Sequence, residues 1–308
     1  MQKPSNPQGT RDFGPEVMRK RNLILDTIRG VFKKYAFEPL ETPALENLSM
    51  LTGKYGDEGD KLLYKIRSNR EISHEIDEEK AQTIKDLFPD RWIPGESKLG
   101  LRYDLTVPFA RFVVQHRNEI SFPFRRYQIQ PVWRADRPQK GRFREFTQCD
   151  ADCIGSTSII HEADLILIYN EAFSKLNLSN AVVKINHRKF LEAMVDELSL
   201  DFPVARFTST LDKLDKIGKD GVIKELVTAG IDKAKCQQLF ELIINSDLKM
   251  DVLDQLASSF NQNALAMEAI EDLKELVSYL GDAPLNIQLE LDLSLARGLD
   301  YYTGCIFE

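Results

Sequence analysis

The sequence predicts an α/β chain of the α+β type into which a helical domain is inserted, and three observations carry that prediction. Short runs of strand-like alternation lie between residues 38 and 187, with helical periodicity between them. From about Arg188 to Asp282 helical patterns follow one another, glycines are few, no tryptophan or histidine occurs, and strand signals nearly vanish. Strand character then returns at Leu285–Leu293 and at Tyr301–Glu308. The expected divisions are therefore 1–187, 188–282 and 283–308. The middle block holds 11 Lys/Arg against 18 Asp/Glu, a net −7 that equals the formal charge of the whole chain.

Each element follows from its local pattern. Residues 1–14, rich in proline, glycine and asparagine, read as an extended lead-in. Pro15 suits a first helical turn, and Val17, Leu23, Leu25, Ile28, Val31 and Phe32 mark an apolar stripe on a helix running to about Tyr35. Glu38–Pro43 reads as a short edge strand closed by proline, and Lys61–Arg67 as a second strand. Residues 68–97, with an acidic run at Glu75–Glu79, read as a surface excursion. Lys98–Leu105 (strand), Thr106–Arg117 (helix), Phe124–Arg134 (strand) and Arg142–Ile154 (strand) follow. A helix at about Ile159–Leu176 and a strand at Ala181–Asn186 complete the first part.

At 308 residues, with 43% hydrophobic and 29% charged residues, the chain suits a globular protein of about two domains. Forty-one Lys/Arg against 48 Asp/Glu exclude a protein that coats nucleic acid through net charge, so any such contact needs a local basic patch. The four cysteines form no C-x-x-C pair and the four histidines no H-x-x-x-H pair, so no metal site is expected. No signal core and no apolar run approaching membrane length occurs, which reads as cytoplasmic, reducing and without membrane contact. The final Gly304–Glu308 stops inside a strand-like run, as a truncated chain would.

Standard nucleotide motifs do not occur: Gly53, Gly56 and Gly59 are spaced G-x-x-G-x-x-G and read as a flexible surface loop. The window 124–145 stands out, with seven Arg/Lys and two acids. Two strand-like runs flank a turn at Ala135–Gly141, and such a hairpin gathers arginines around one loop, suited to a polyanion. Period-2 geometry places Arg144, Phe146, Gln148, Asp150 and Asp152 on one face and Cys149, Ala151 and Cys153 on the other, which reads as the packed side. The first face orders a cation, an aromatic ring, an amide and two carboxylates, able to read a nucleotide at one end and a cationic small molecule at the other. Two further clusters are Leu101–Pro108, where Asp104 ends a strand before a possible helix cap at Thr106, and Leu295–Gly304, where Arg297 precedes Gly298 and the phenols of Tyr301 and Tyr302.

Taken together, Gly9–Phe13, Pro43-x-x-Glu46, Leu101–Pro108, the 124–152 hairpin and Ala296–Gly304 resemble the catalytic domain of the histidyl-tRNA synthetase family, a class II aminoacyl-tRNA synthetase. The resemblance spans the chain from Gly9 onward, without the family's third signature motif or its C-terminal anticodon-binding domain. It implies a mostly antiparallel sheet flanked by helices, a homodimer interface near Pro43, and 188–282 as the family's insertion. It implies ATP and Mg2+, and L-histidine and tRNA(His) as partners. Histidine is first activated to histidyl-adenylate and then transferred to the tRNA 3′ end.

Carried over by resemblance, Arg134 holds the α-phosphate and Arg142 the rest of the triphosphate, while Phe146 stacks on adenine with Asp136 near its amino group. Asp104 and Gln148 hold the histidine α-amino group and Thr106 lines the same pocket. Asp152 and Tyr302, beside Tyr301, read the imidazole, and Arg297 faces the reacting carboxylate and α-phosphate. Asp stands at 104 and 152 where many relatives carry Glu. The competing expectation is a non-catalytic, histidine-sensing regulatory subunit of ATP phosphoribosyltransferase. The intact Arg134 and Arg297 and the long helical block favour the synthetase.

Overall fold

A computed structural model describes residues 3–66, 97–178, 180–200, 202–243, 245–260, 263–296 and 302–308. The expected surface excursion lies outside the described residues apart from Ser97, as do Arg297 and Tyr301. The fold is α+β and divides into two compact units, Met1–Ser156 and Thr157–Glu308.

In the first unit, α1 (Pro15–Lys34) starts at the predicted proline, with Glu16 in its first turn and Lys33 and Lys34 in its last, charges that complement the helix dipole. Its apolar stripe packs only at the C-terminal end: Val31 and Phe32 are buried, whereas Val17 and Leu23 are 47% and 67% exposed. Phe32 stacks on Tyr127 at 5.2 Å. The two-residue β1 (Glu38–Pro39) pairs in parallel with a later strand, and the rest of the expected strand is irregular. Then come β2 (Leu45–Asn47), the short helices α2 (Leu48–Leu51) and α3 (Gly56–Asp60), β3 (Lys65–Ile66), β4 (Leu99–Leu101) and α4 (Thr106–Gln115). The hairpin strands are β5 (Phe124–Trp133) and β6 (Glu145–Ile154).

One sheet has the order β1-β5-β6 and the other β2-β4-β3. Gly100 is required in the central β4 of the second sheet, because a Cβ there would lie 3.0 Å from the Tyr64 carbonyl and 3.1 Å from Leu51. Two buried charges tie the segments together. Glu46 on β2 takes a bidentate grip from Arg111 on α4, at 2.7–3.0 Å. Arg102 donates to the carbonyls of Thr42 (2.7 Å) and Pro131 (2.8 Å), fastening the stretch before Asp104 to β5.

The second unit contains α5 (Ile160–Lys175), β7 (Val182–His187), α6 (Arg188–Glu197), α7 (Val204–Leu211), α8 (Leu214–Thr228), α9 (Lys233–Leu242), β8 (Asn245–Asp247), α10 (Met250–Ser259), α11 (Ala264–Leu280), β9 (Gln288–Asp292) and β10 (Cys305–Phe307). Its sheet order is β10-β7-β9-β8. Ile185, Phe190, Phe207, Phe260, Leu273 and Leu291 belong to one continuous core, so the helices of the 188–282 block share their packing with the strands around them. The compact division accordingly falls at Ser156/Thr157, not at the chain positions where composition changes. The β8 strand inside that block pairs with β9, although its polar Asn-Ser-Asp triplet carries no strand signal. Among the described residues no helix is long and apolar enough to cross a membrane.

Candidate active site

The β5–β6 hairpin is paired along all ten residues, from Phe124↔Ile154 to Trp133↔Glu145. Its turn is closed by Gln139 and Arg142, whose backbones exchange hydrogen bonds at 2.9 and 3.3 Å, with Gly141 at φ +82°. The register puts Arg126, Gln128, Gln130 and Val132 opposite Asp152, Asp150, Gln148 and Phe146, so these eight side chains share one face. That polar face, not the Cys149 side, is the more deeply covered. Arg126 and Gln128 have no solvent exposure, whereas Cys149 is exposed. The reason is that α4 and the Arg102–Thr106 segment lie over the polar face: Arg126 sits 4.2 Å from the Phe109 ring centre, and the Gln128 amide donates to the Thr42 hydroxyl at 2.8 Å.

At the loop end of this face Arg134 is held flat. Its Nε donates to the Tyr103 carbonyl at 3.1 Å, and its guanidinium lies 4.3 Å from the Tyr103 ring and 5.2 Å from Phe146. The carboxylate of Asp136, itself buried, pairs with Arg142 at 2.8 Å, and its carbonyl accepts from Arg144 Nε. Only part of the expected arginine cluster surrounds the loop, since Arg125 and Arg126 lie at the far end of the hairpin. The opening segment adds a cation: Arg11 stacks over Phe143 at 3.2 Å. Gly9 makes that docking possible, with φ +84° and no room for a Cβ, which would come within 2.8 Å of Arg144.

Toward the other end the carboxylates gather. Asp104 accepts from the Tyr55 hydroxyl at 2.9 Å and from the Val107 amide at 3.2 Å. Thr106 is therefore not the cap: it is an exposed first residue of α4, and the Asp104 carboxylate takes the amide. The glycine-spaced segment is ordered around this contact. Gly53 and Gly56 take φ of +75° and +70°, the Gly53 amide donates to Asp60 at 2.7 Å, and the turn presents Tyr55. Asp152 meets Arg126 at 2.6 Å. The Gln148 side-chain oxygen is buried without a hydrogen-bond partner among the described residues, an acceptor left for a ligand donor.

Burial governs the charges. It raises the Asp104 carboxyl above its ordinary range, against the pull of the Val107 amide, Tyr55 and Arg134. It pushes Asp150 up to about 6, with Arg126 opposing and Asp152 and Asp104 adding to the rise. Asp152 is also raised by burial, while Arg126 restrains it. Burial, followed by the Asp104 charge, raises the Tyr55 phenol, which therefore remains a donor.

The first unit thus brings together Asp104, Arg134, Asp136, Arg142, Phe146, Gln148 and Asp152, with a carboxylate region at one end and stacked arginines at the other. That arrangement suits a ligand with a cationic and a polar ring end, beside a polyanion. Tyr302 belongs to the second unit and is 42% exposed. Tyr55 and Arg126 were not singled out by the sequence. The signal for Arg126 was its place in register with Asp152, while nothing local marks Tyr55.

Comparison with known proteins adds independent findings. The family described as "Histidyl-tRNA synthetase" matches residues 78–308. The chain is 48% identical to the histidine–tRNA ligase of Cytophaga hutchinsonii and 48% identical to that of Christiangramia forsetii, in each case over 100% of this chain and 67% of the relative. It therefore spans about two thirds of the length of these curated relatives. The crystal structure of histidyl-tRNA synthetase from Nostoc sp. PCC 7120 superposes with a TM-score of 0.78 at 30% identity, covering 99% of this chain and 64% of that one. A Bacillus halodurans protein, described as an ATP phosphoribosyltransferase regulatory subunit/histidyl-tRNA synthetase, superposes at 0.75 with 20% identity, over 99% of this chain and 72% of that one, a likeness of fold alone.

Proposed function

The chain belongs to the histidyl-tRNA synthetase family, and from that premise we propose that it is the catalytic part of an ATP-dependent histidine–tRNA ligase. The carrying observation is the sheet face that sets the Asp152 carboxylate and the unpartnered Gln148 oxygen on the side of the Arg134 guanidinium, with Asp104 brought near by the segment that lies over it. Histidine binds with its ammonium on Asp104 and Gln148 beside Thr106, and its imidazole N–H on Asp152. ATP lies with adenine on Phe146, its amino group near Asp136, and its phosphates toward Arg134 and Arg142. Mg2+ would arrive with the nucleotide as part of that substrate.

In the first step a histidine carboxylate oxygen attacks the α-phosphorus and the bond to the bridging oxygen breaks, releasing pyrophosphate. Two anions must approach, so Arg134 lowers their repulsion and stabilises the charge that develops. A fixed donor of this kind contributes about 3–4 kcal/mol. In the second step a hydroxyl of the terminal adenosine of tRNA(His) attacks the histidyl carbonyl and AMP leaves. Discrimination rests on buried acceptors: an apolar side chain would offer no donor to Asp152 beyond its contact with Arg126.

Three further parts of the reading rest on separate support. A homodimer is supported by the apolar side chains of Val17, Met18, Leu23 and Ile24, exposed along α1. A cytoplasmic setting is supported by the free thiols of Cys149, Cys236 and Cys305. Residues 188–282 are read as the family's helical insertion. The regulatory-subunit reading draws only on a fold shared at 20% identity. The 48% identity to ligases along the whole chain and the seated Arg134 favour the enzyme. Histidine-dependent ATP–pyrophosphate exchange, run beside calorimetric histidine binding, tests this. Exchange is expected, binding without exchange would favour the regulator, and neither would sink both readings.

A further inference from the structure

The polar face carries a charge that the proposed chemistry does not use. Arg126 is completely buried, directly across the hairpin from Asp152. Its Nη2 lies 2.6 Å from Asp152 Oδ2 and 3.4 Å from the carbonyl of Leu105, while its Nη1 lies 3.5 Å from the carbonyl of Asp150. Phe109 covers the guanidinium at 4.2 Å. One nitrogen thus bridges β6, which carries Gln148 and Asp152, and the Asp104–Thr106 segment that opens α4.

We propose that Arg126 is a positioning residue of the histidine pocket: its buried guanidinium fixes the direction of the Asp152 carboxylate and locks the two segments that carry the pocket's polar groups to one another. The inference rests on the histidine reading of the preceding section. A carboxylate on a strand face has two free side-chain torsions, and burial favours its neutral form. A cation beside it on the same face opposes that preference, and its contact to Oδ2 leaves Oδ1 for the ligand. Buried burdens on the cation itself argue that it is kept for this role. Its Nε has no hydrogen-bond partner among the described residues, and burial works against its charge while Asp152, Asp150 and Asp104 support it. An apolar side chain at 126 would have avoided both.

The test is a double-mutant cycle between Arg126→Leu and Asp152→Asn, read by calorimetric binding of histidine and, separately, of ATP. Arg126→Leu is expected to weaken histidine binding about tenfold or more. ATP binding should stay within about twofold, because the nucleotide end is held by Arg134. If Arg126 acts through Asp152, the double variant loses little beyond Asp152→Asn alone. Arg126→Lys, which keeps a buried cation, should recover part of the loss. Equal losses for histidine and ATP, or strictly additive losses in the cycle, would overturn the proposal and leave Arg126 a plain structural element. A parent chain that binds no histidine would instead overturn the function reading, and this inference with it.

Discussion

Replacing Asp150 with Asn removes a carboxylate that the fold holds at a disadvantage. Its pKa is raised from 3.8 to about 6, chiefly by burial and further by Asp152 and Asp104, with Arg126 and Arg134 opposing. The sign follows from proton counting. Between those two values the folded chain binds more protons than the unfolded chain, so stability is greatest at the acid end and falls as pH rises through about 6. At about 1.4 kcal/mol per pH unit the ceiling is about 3 kcal/mol, and partial solvation of a half-buried group brings the expectation to about 1–2 kcal/mol. Asp150→Asn should therefore be more stable than the parent at pH 8, with the gain shrinking toward pH 4. Comparing two pH values cancels whatever constant packing change the amide brings.

Urea unfolding followed by tryptophan fluorescence reads this unit, because Trp92 and Trp133, the chain's two tryptophans, both fall within residues 1–156. A difference between variant and parent that stays constant within about 0.5 kcal/mol from pH 4.5 to 8 would show that burial of the Asp150 charge costs nothing. A variant that loses stability as pH rises would reverse the sign and make the Arg126 interaction dominant.

Other consequences are sharper for ligand binding. Tyr55→Phe removes the hydroxyl that donates to Asp104 at 2.9 Å. Histidine affinity is expected to fall about tenfold while ATP affinity holds, and an unchanged histidine titration would remove Tyr55 from the pocket. Arg297→Ala is expected to abolish adenylate formation in pyrophosphate exchange while histidine binding stays within about tenfold, and adenylation at the parent rate would refute its role. Glu46→Gln keeps the shape of the Arg111 clamp but deletes its charge. With Glu46 5% exposed, urea denaturation should show a loss of about 2–4 kcal/mol, and a loss under about 0.5 would mean the pair is solvated.

What the sequence made legible and what it hid divide along a physical line. The hairpin was readable because a period-2 face survives any tertiary context: Phe146, Gln148 and Asp152 had to point one way once β6 was extended. Which face would be covered was not readable, since that depends on α4 and Arg102–Thr106 folding over it from a distant part of the chain. The small Cys149, Ala151 and Cys153 resembled the packed side, yet the more deeply covered side is the one bearing Arg126 and Gln128. The same reason hid Tyr55, whose hydroxyl reaches Asp104 across 49 positions of sequence. The β8 triplet was hidden in the same way, paired only because β9 offers it an edge.

These misses share a cause that bears on function. Three carboxylates, Asp150 and Asp152 on the covered face and Asp104 in the segment over it, lie beside the fully buried Arg126, and burial raises all three. A face built for stability alone would be apolar there. Its unmet preference is for a further positive or N–H-donating group, which a bound amino acid supplies with its ammonium and ring. Histidine binding should therefore lower these pKa values and, through Asp150 with its pKa of about 6, release protons near pH 6, so calorimetry in buffers of different ionisation heat should give a buffer-dependent enthalpy. The release should diminish in Asp150→Asn. An enthalpy independent of the buffer would mean that the face is already satisfied without its ligand.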